Sequence, residues 1–582
     1  MSKKQLVNGV SIKVDNRSGF DKGYFNALTT HVGTITPLVK QLMLPNSSGS
    51  CRVKISAQLP PLASDCFLRS HLKLEAFFVP LRLCYGGFES WFCGREVYDA
   101  NNNAFIRAKL PNLLVMDYAN SVGSYSDGTT VTLNKAFGTG SLLDYFGVYW
   151  KSDVTFATRK SVSLSAGPTS DDLDVEPFQA LNIFPHICYG LIYDEYYRNK
   201  FVEKPLFAPP AARSDQSMTL EATALSAYNL PYVSSGDPIG VVGASDAMSF
   251  GSNAGVIKDN LLNGRLVDLR QRNYGDDYFT AAMPNAGGES TTISIVNNKF
   301  SIGALRLGNA LAEFEDANNY ASPDYLQTLS ARYGASLSAG IAQKPILLGS
   351  ADFPMYTSGV EQTNAHSVTS IQYTTNNPFQ SVGARYGRGH AEGSDFVCKF
   401  NVDEPGYFMV MASLVPEAQY YQGIARDMQI LVSENGGDSL TDLPCGLLES
   451  IGNDAIFENE LLCSEGASVF GYVQRYLWHK LGNRNQVHGL FRKDESLGSF
   501  VVQRGFDSIS GINSSFLKVK PSDLDNVASI TGQISEFGCM IDSKIDLFVS
   551  EPLTESAIPA LANPAHEHGR TVYVKTGGSK LA

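Results

Sequence analysis

The sequence predicts a mainly β protein, a sandwich-like core interrupted by long, partly helical insertions. Three observations carry that reading. From His71 the chain alternates, with Leu72, Leu74, Ala76 and Phe78 on one side and His71, Lys73 and Glu75 on the other. That period of two is the mark of a half-buried strand. Tyr407 to Val415 (YFMVMASLV) is an unbroken apolar run between Pro405-Gly406 and Pro416, the pattern of a strand buried on both faces. The composition of the 582 residues, with Gly 52, Pro 26, Tyr 27 and Phe 32, favours strands and turns over helix bundles.

In chain order, residues 1 to about 50 read as an extended arm. A turn at Asn16 to Gly19, Pro37, Pro45 and the Ser47-Ser48-Gly49-Ser50 cluster punctuate it. Cys51 to Ser56 reads as a first strand, Val53 and Ile55 alternating with Arg52 and Lys54. The strand from His71 follows, and Pro80, which lacks a ladder donor, ends it. Phe88, Trp91 and Phe92 then fall at i, i+3 and i+4, one face of a short helix. Val97 to Asp174 is loop-rich around one apolar-aromatic cluster, Ser141 to Trp150. Glu176 to Lys200 is the clearest helical candidate, and 201 to 264 is again loop-like. Ser301 to Gly349 reads as a second helical excursion, with Ser322-Pro323 opening its second helix. Strand character returns after Gly383, at Phe396 to Phe400, Tyr407 to Val415, Val487 to Phe491 and Ile545 to Val549.

The charge and motif content narrow the function. Fifty-eight Asp and Glu against 46 Lys and Arg give a net charge of −12, which argues against a chain that coats nucleic acid by itself. Nine cysteines, an odd number with no C-x-x-C, predict buried thiols in a reducing environment. MSKKQLVNGV has no apolar core of a signal peptide, and no run approaches the roughly 18 residues of a membrane span. The nucleophile elbow, H-E-x-x-H, P-loop and dinucleotide fingerprints are absent from the sequence. Asp171 to Asp174 lacks the EF-hand spacing, and His566 and His568 have no further ligands nearby, so neither predicts a metal. One stretch departs from the acidic background: Val469 to Lys493, where Arg475, Lys480, Arg484, Arg492 and Lys493 interleave with Tyr472, Tyr476, Trp478 and Phe491. Cations among aromatics suit a surface for single-stranded nucleic acid, and Arg475, Lys480, Arg484 and Arg492 are its candidate contacts.

Several segments together resemble one family. They are RSGFD (Arg17 to Asp21), AFFVPLR (Ala76 to Arg82) and PFQALNIFPHICYGLIYDEYYRN (Pro177 to Asn199). DYFTAAMP (Asp277 to Pro284), Leu305-Arg306, ARYG (Ala331 to Gly334), YYQGIAR (Tyr420 to Arg426) and VFGYVQR (Val469 to Arg475) follow in the family's order. Singly they are weak, and their collinearity is similar to that of the major capsid proteins of the gokushovirus-like Microviridae, phages with circular single-stranded DNA. The resemblance implies an eight-stranded antiparallel jelly-roll β-sandwich with long loop insertions, in a T=1 icosahedral shell. It divides the chain into an arm, 1–50, and one jelly-roll domain, 51–582, with insertions at about 97–175, 176–300 and 301–395. It implies a structural protein with no enzymatic activity and no cofactor. The implied partners are further copies of the chain, genomic single-stranded DNA, a small basic DNA-packaging protein, a pilot protein and a host cell-surface receptor. The implied location is the virion, assembled in the bacterial cytoplasm without membrane insertion. Many members carry a threefold protrusion between the DYFT-like and LR-like segments, where only Asn285 to Ala304 stands here. The competing reading is a carbohydrate-binding β-sandwich or a glycan-processing enzyme; the lack of a signal peptide, catalytic motif or disulfide pattern weakens it.

Overall fold

The computed structural model describes residues 18–84, 140–148, 184–203, 269–284, 344–361, 385–428, 453–462, 468–474 and 485–552. Shorter described pieces lie between them: Phe88, Phe92, 96–99, 104–107, 112–114, 125–126, 130–132, 155–157, 180–182, 431–432, 438–439 and 477–481. The main strands are β1 (Ser18–Asp21), β2 (Tyr24–Thr30), β3 (Thr36–Met43), β4 (Ser47–Gln58), β5 (Ser70–Pro80), β6 (Ile346–Pro354), β7 (Tyr356–Glu361), β8 (Arg385–Val402) and β9 (Gly406–Pro416), then β10 (Asp454–Phe457), β11 (Val469–Val473) and β12 (Cys539–Glu551). They form two antiparallel sheets. One has the order β6-β5-β9-β3; the other runs β1-β12-β4-β8-β7, with β2 also on β12. β10 and β11 pair apart from both.

Strand sequence explains which faces are buried. β12, CMIDSKIDLFVSE, alternates strictly: Ile541, Ile545, Leu547 and Val549 point inward, and Asp542, Lys544 and Phe548 point out. Cys51, Val53, Ile55 and Ala57 of β4 do the same. They meet Leu72, Leu74 and Ala76 of β5 and Phe408, Val410, Ala412 and Leu414 of β9 in one core. Phe400 of β8 stacks on Phe408 across the sandwich, ring centres 5.0 Å apart. β9 is buried along its whole length, as its unbroken apolar run predicts. Its other face, Tyr407, Met409 and Met411, lies under the insertions. At its start Gly406 cannot carry a side chain, because a Cβ would sit 2.4 Å from the carbonyl oxygen of Val79.

Several expectations change. From Ser18 on, the residues read as an arm are strands of both sheets, β1 and β2 on β12 and β3 on β9. Their alternation is weak because β1 and β2 lie at a sheet edge and are largely solvated. Glu176–Lys200 is helical only in part: a short strand, Ala180–Asn182, precedes an α-helix, Phe184–Ile192, which widens into a π-helix at Tyr193–Tyr197. Val487–Phe491 is not a strand. Gln486 bridges Tyr420, and Gly489, at φ +64°, opens a 3-10 turn over Gly489–Phe491. The second helical excursion lies outside the described residues up to 343, and its expected end falls in β6. Phe88 is buried and stacks on Phe92, whose ring stays 58% exposed; Trp91 is outside the described residues. The strand at Phe396–Phe400 lies within β8, and Ile545–Val549 within β12.

Six described cysteines, Cys51, Cys66, Cys84, Cys188, Cys398 and Cys539, are free and buried. Burial pushes the thiols of Cys51, Cys66, Cys398 and Cys539 up to about 12, which keeps them protonated and inert. Among the described residues no helix is long and apolar enough to cross a membrane.

The fold rests on the interlocked core. Phe408→Ala removes a ring with no exposed surface and its stacking partner, at a cost of about 3–5 kcal/mol. Lys54→Ala, on the solvated face, changes stability by no more than about 0.5 kcal/mol. Urea denaturation of the purified chain checks both.

Candidate nucleic-acid interface and the buried anchors around it

The basic stretch occupies the insertion between β9 and β12. It begins as β11, continues through a short helix, Leu477–Lys480, and ends in the 3-10 turn at Gly489–Phe491. Lys480, Arg492 and Lys493 are exposed, while Arg475 and Arg484 lie outside the described residues. Arg492 and Lys493 enter a tight turn, the Glu495 amide donating to the Arg492 carbonyl, which brings exposed Asp494 and Glu495 beside them. The charge there is balanced in place. Phe491 meets Phe67 edge-to-face at 6.1 Å, and Phe67, from the loop before β5, remains 58% exposed. Phe67 belongs to this surface although sequence distance hid it.

Behind this surface, segments far apart in sequence converge. The amide and carbonyl of Met283 exchange bonds with those of Tyr472. Tyr420 donates to Asp277 Oδ2 at 2.7 Å and packs its ring on Phe279 at 4.9 Å. DYFTAAMP, YYQGIAR and VFGYVQR are thus neighbours. Arg504, which the sequence reading did not single out, sits among them. Its guanidinium lies 4.1 Å from the centre of the Tyr274 ring and 4.5 Å from that of Phe516. It donates to the Phe516 carbonyl at 2.5 Å and to the Tyr420 hydroxyl at 3.2 Å. Tyr274 in turn donates to Asp523 at 2.6 Å. Burial, then the charges of Asp277 and Asp523 respectively, hold the Tyr420 and Tyr274 hydroxyls well above their ordinary range, so both stay neutral donors. Beside them Arg426 pairs with Glu460 at 2.8 Å; burial raises the Glu460 carboxyl and Arg426 opposes that rise.

A second anchor fastens the other long insertion to the outer face of β5. Glu75 receives a two-pronged bond from Arg272, at 2.6 and 3.0 Å, and accepts from the Tyr197 hydroxyl. Arg272 also donates to Ser413 of β9 at 3.1 Å and lies over the Tyr197 ring. At the sandwich's opposite edge, Lys40 of β3 donates to the Phe146 carbonyl at 2.6 Å, and Phe146 meets His186 edge-to-face at 4.9 Å. His186 is buried, and burial, reinforced by nearby Lys40, lowers its pKa to about 3. A cleft of about 880 Å³ opens beside Lys40, between β2, β3 and the Gly140–Gly147 turn; Asp144, Tyr145, Gln58 and Asp542 help to line it. Among the described residues no three His, Cys, Asp or Glu side chains are grouped to hold a metal.

Comparisons with known proteins identify the family. The model of the capsid protein (F protein) family matches residues 175–561, about two thirds of the chain. The chain belongs to this family. The capsid protein VP1 of Chlamydia phage 1 is 22% identical to it over 610 residues, covering 96% of this chain and 98% of VP1. The chain is therefore a structural protein of a bacteriophage virion, of the Microviridae type that its motifs resemble.

Two outcomes test the anchors. Arg504→Leu leaves the Tyr420 hydroxyl and the Phe516 carbonyl without their charged donor and costs about 2–3 kcal/mol; Arg504→Lys, which lacks the planar fork, recovers less than half of it. The urea midpoint and the rate of proteolysis between 417 and 538 report both. His186 gives the pH dependence. Its folded pKa lies below the unfolded value of 6.5, so its contribution to stability is complete above pH 6.5 and declines as pH falls toward 3. Between pH 6.5 and 5 it adds a slope of up to about 1.4 kcal/mol per pH unit, which His186→Phe removes.

Proposed function

We propose that this chain is the major capsid protein of a small phage and assembles into a T=1 icosahedral shell around a circular single-stranded DNA genome. The near full-length match to VP1 of Chlamydia phage 1 is the observation that carries the reading. The strand order supports a jelly roll. Counting β1 and β2 as one interrupted strand gives eight along the chain, with β7 as an added edge. The sheets then read first-eighth-third-sixth and second-seventh-fourth-fifth, the interleaving of two Greek keys. On this reading residues 51–582 form one domain whose insertions leave between β5 and β6 and between β9 and β12, and the first strands join it. The wall buries its hydrophobic interfaces against other copies. It acts without catalysis, in the virion, after assembly in the bacterial cytoplasm. A small basic packaging protein, a pilot protein and a host receptor complete the set of partners.

Within this reading the stretch containing Arg475, Lys480, Arg484 and Arg492 contacts the genome. Electron microscopy of the purified protein checks assembly: closed shells of uniform small diameter are expected, and monomers under every condition would overturn the proposal. Reversing all four charges is expected to lower DNA per particle, measured by the absorbance ratio of purified shells. Unchanged content would remove the stretch from the interface.

A further inference from the structure

The two sheets are finished differently on their outer sides. Tyr407, Met409 and Met411 of β9 and Phe77 and Val79 of β5 are buried beneath insertions. The outer face of the β12 sheet carries exposed side chains instead, and the strand register arranges them in rows. Phe25 of β2 stands opposite Lys544 of β12, which stands opposite Lys54 of β4. In the next row Asp546 faces Arg52, and Arg52 faces Phe396 of β8. One row further, Phe548 faces Ser50, and Ser50 faces Lys399. The three phenyl rings are 76%, 47% and 54% exposed for Phe25, Phe396 and Phe548. Lys544 lies over the Phe25 ring, 5.6 Å from its centre, and the tip of the Phe548 ring rests against Gly19 of β1, yet all three rings keep a large exposed surface.

We infer that this face is a stacking platform for single-stranded DNA, with bases on Phe25, Phe396 and Phe548 and phosphates on Arg52, Lys54 and Lys544. The inference rests on the reading above that the shell encloses single-stranded DNA. Four physical points favour it. Cations alternate with exposed rings, the combination that holds single strands without regard to sequence. From Phe25 to Phe396 the face spans three strand spacings, about 15 Å, wide enough for the two or three bases that a four-stranded aromatic face stacks. These rows set Lys54, Lys544, Arg52 and Lys399 against Asp546 and Asp21, the latter opposite Phe548, an excess of cations in a chain of net charge −12, and Asp546 is engaged by Lys544 at 3.6 Å. The concave side of a closed wall has less area per subunit than the convex side, so the sheet whose outer face is left exposed among the described residues fits inside, toward the cargo. A second copy facing this patch would have to bury the excess cations, which costs more than it returns. The row beyond, with Asp542 and Glu392 on either side of Ser56, bounds the platform toward the cleft.

The test uses the full chain and fluorescence anisotropy with a labelled oligo-dT. Phe25→Ala and Phe548→Ala are each expected to weaken binding about tenfold, the loss of one stacked base, with the salt dependence unchanged. Lys54→Glu with Lys544→Glu is expected to flatten the slope of log K against log salt by about 1.4, two phosphate contacts. Ultraviolet cross-linking inside wild-type shells, which requires no variant to fold, is expected to join thymines to Phe25, Phe396 or Phe548. Binding unchanged in the variants, a wild-type chain that binds no oligo-dT, or cross-links that map elsewhere or join this face to a second copy would each overturn the inference. If those shells nevertheless contain single-stranded DNA, the proposed function stands. Shells from which no single-stranded DNA can be extracted overturn both.

Discussion

The structure depends on one constraint: the outer face of the β5–β9 sheet is apolar and must be covered. β9 places Phe408, Val410, Ala412 and Leu414 in the sandwich and Tyr407, Met409 and Met411 on the other side, and nothing in the sandwich itself can shield the second set. The chain supplies the cover from its own insertions. The α-helix Phe184–Ile192 and the π-helix after it lie over this sheet, with the Phe77 ring tilted against Tyr196 at 5.0 Å. The insertions are therefore a second layer of the fold, and the sheet they cover would be insoluble without them.

Covering an apolar face does not by itself fix where the cover sits, and polar contacts supply the register. Glu75 is the carboxylate on the outer side of β5, and Arg272, Tyr197 and Ser413 all reach toward it or toward its partner. A half-buried carboxylate with two-pronged and hydroxyl donors loses several kcal/mol if the cover slides away, because its desolvation is then left unmatched. Arg504 has the same role in the later insertion: its ring contacts are broad and forgiving, whereas its bonds to Phe516 and Tyr420 are directional. In both places dispersion provides the attraction and a few hydrogen bonds select one arrangement.

The division explains what was legible in the sequence. β5, β9 and β12 were readable because burial on one face or two writes itself directly into periodicity, and the unbroken run of β9 even announced that something must lie over it. The strands before Cys51 were not readable. Tyr24–Thr30 and Ser18–Asp21 take their pairing from β12, more than 500 residues away, and their own side chains are largely solvated. Val487–Phe491 misled because its apolar residues suit a strand while Gly489 takes a left-handed turn. Arg504 left no local signal, since its partners come from around Tyr274, Tyr420 and Phe516. For the candidate interface, Lys480 and Arg492 are on the surface as expected, but the turn that exposes Arg492 also places Asp494 and Glu495 beside it.

The same reasoning reverses where a nucleic-acid surface should be sought in a β protein. A contiguous run of cations and aromatics is easy to see in a sequence, yet neighbours in sequence alternate between the two faces of a strand, so half of any such run points away. Neighbours on a face come from different strands. Phe25, Lys544, Lys54 and Arg52 are separated by up to about 500 residues, and only the pairing of β2, β12 and β4 sets them side by side. An acidic chain can therefore hold a local cationic face that neither its net charge nor any window of its sequence discloses. The strict alternation of β12 was its one trace: the strand CMIDSKIDLFVSE keeps a solvated face, and on that face Phe548 rests its ring tip against Gly19 of β1 while leaving about half of itself exposed.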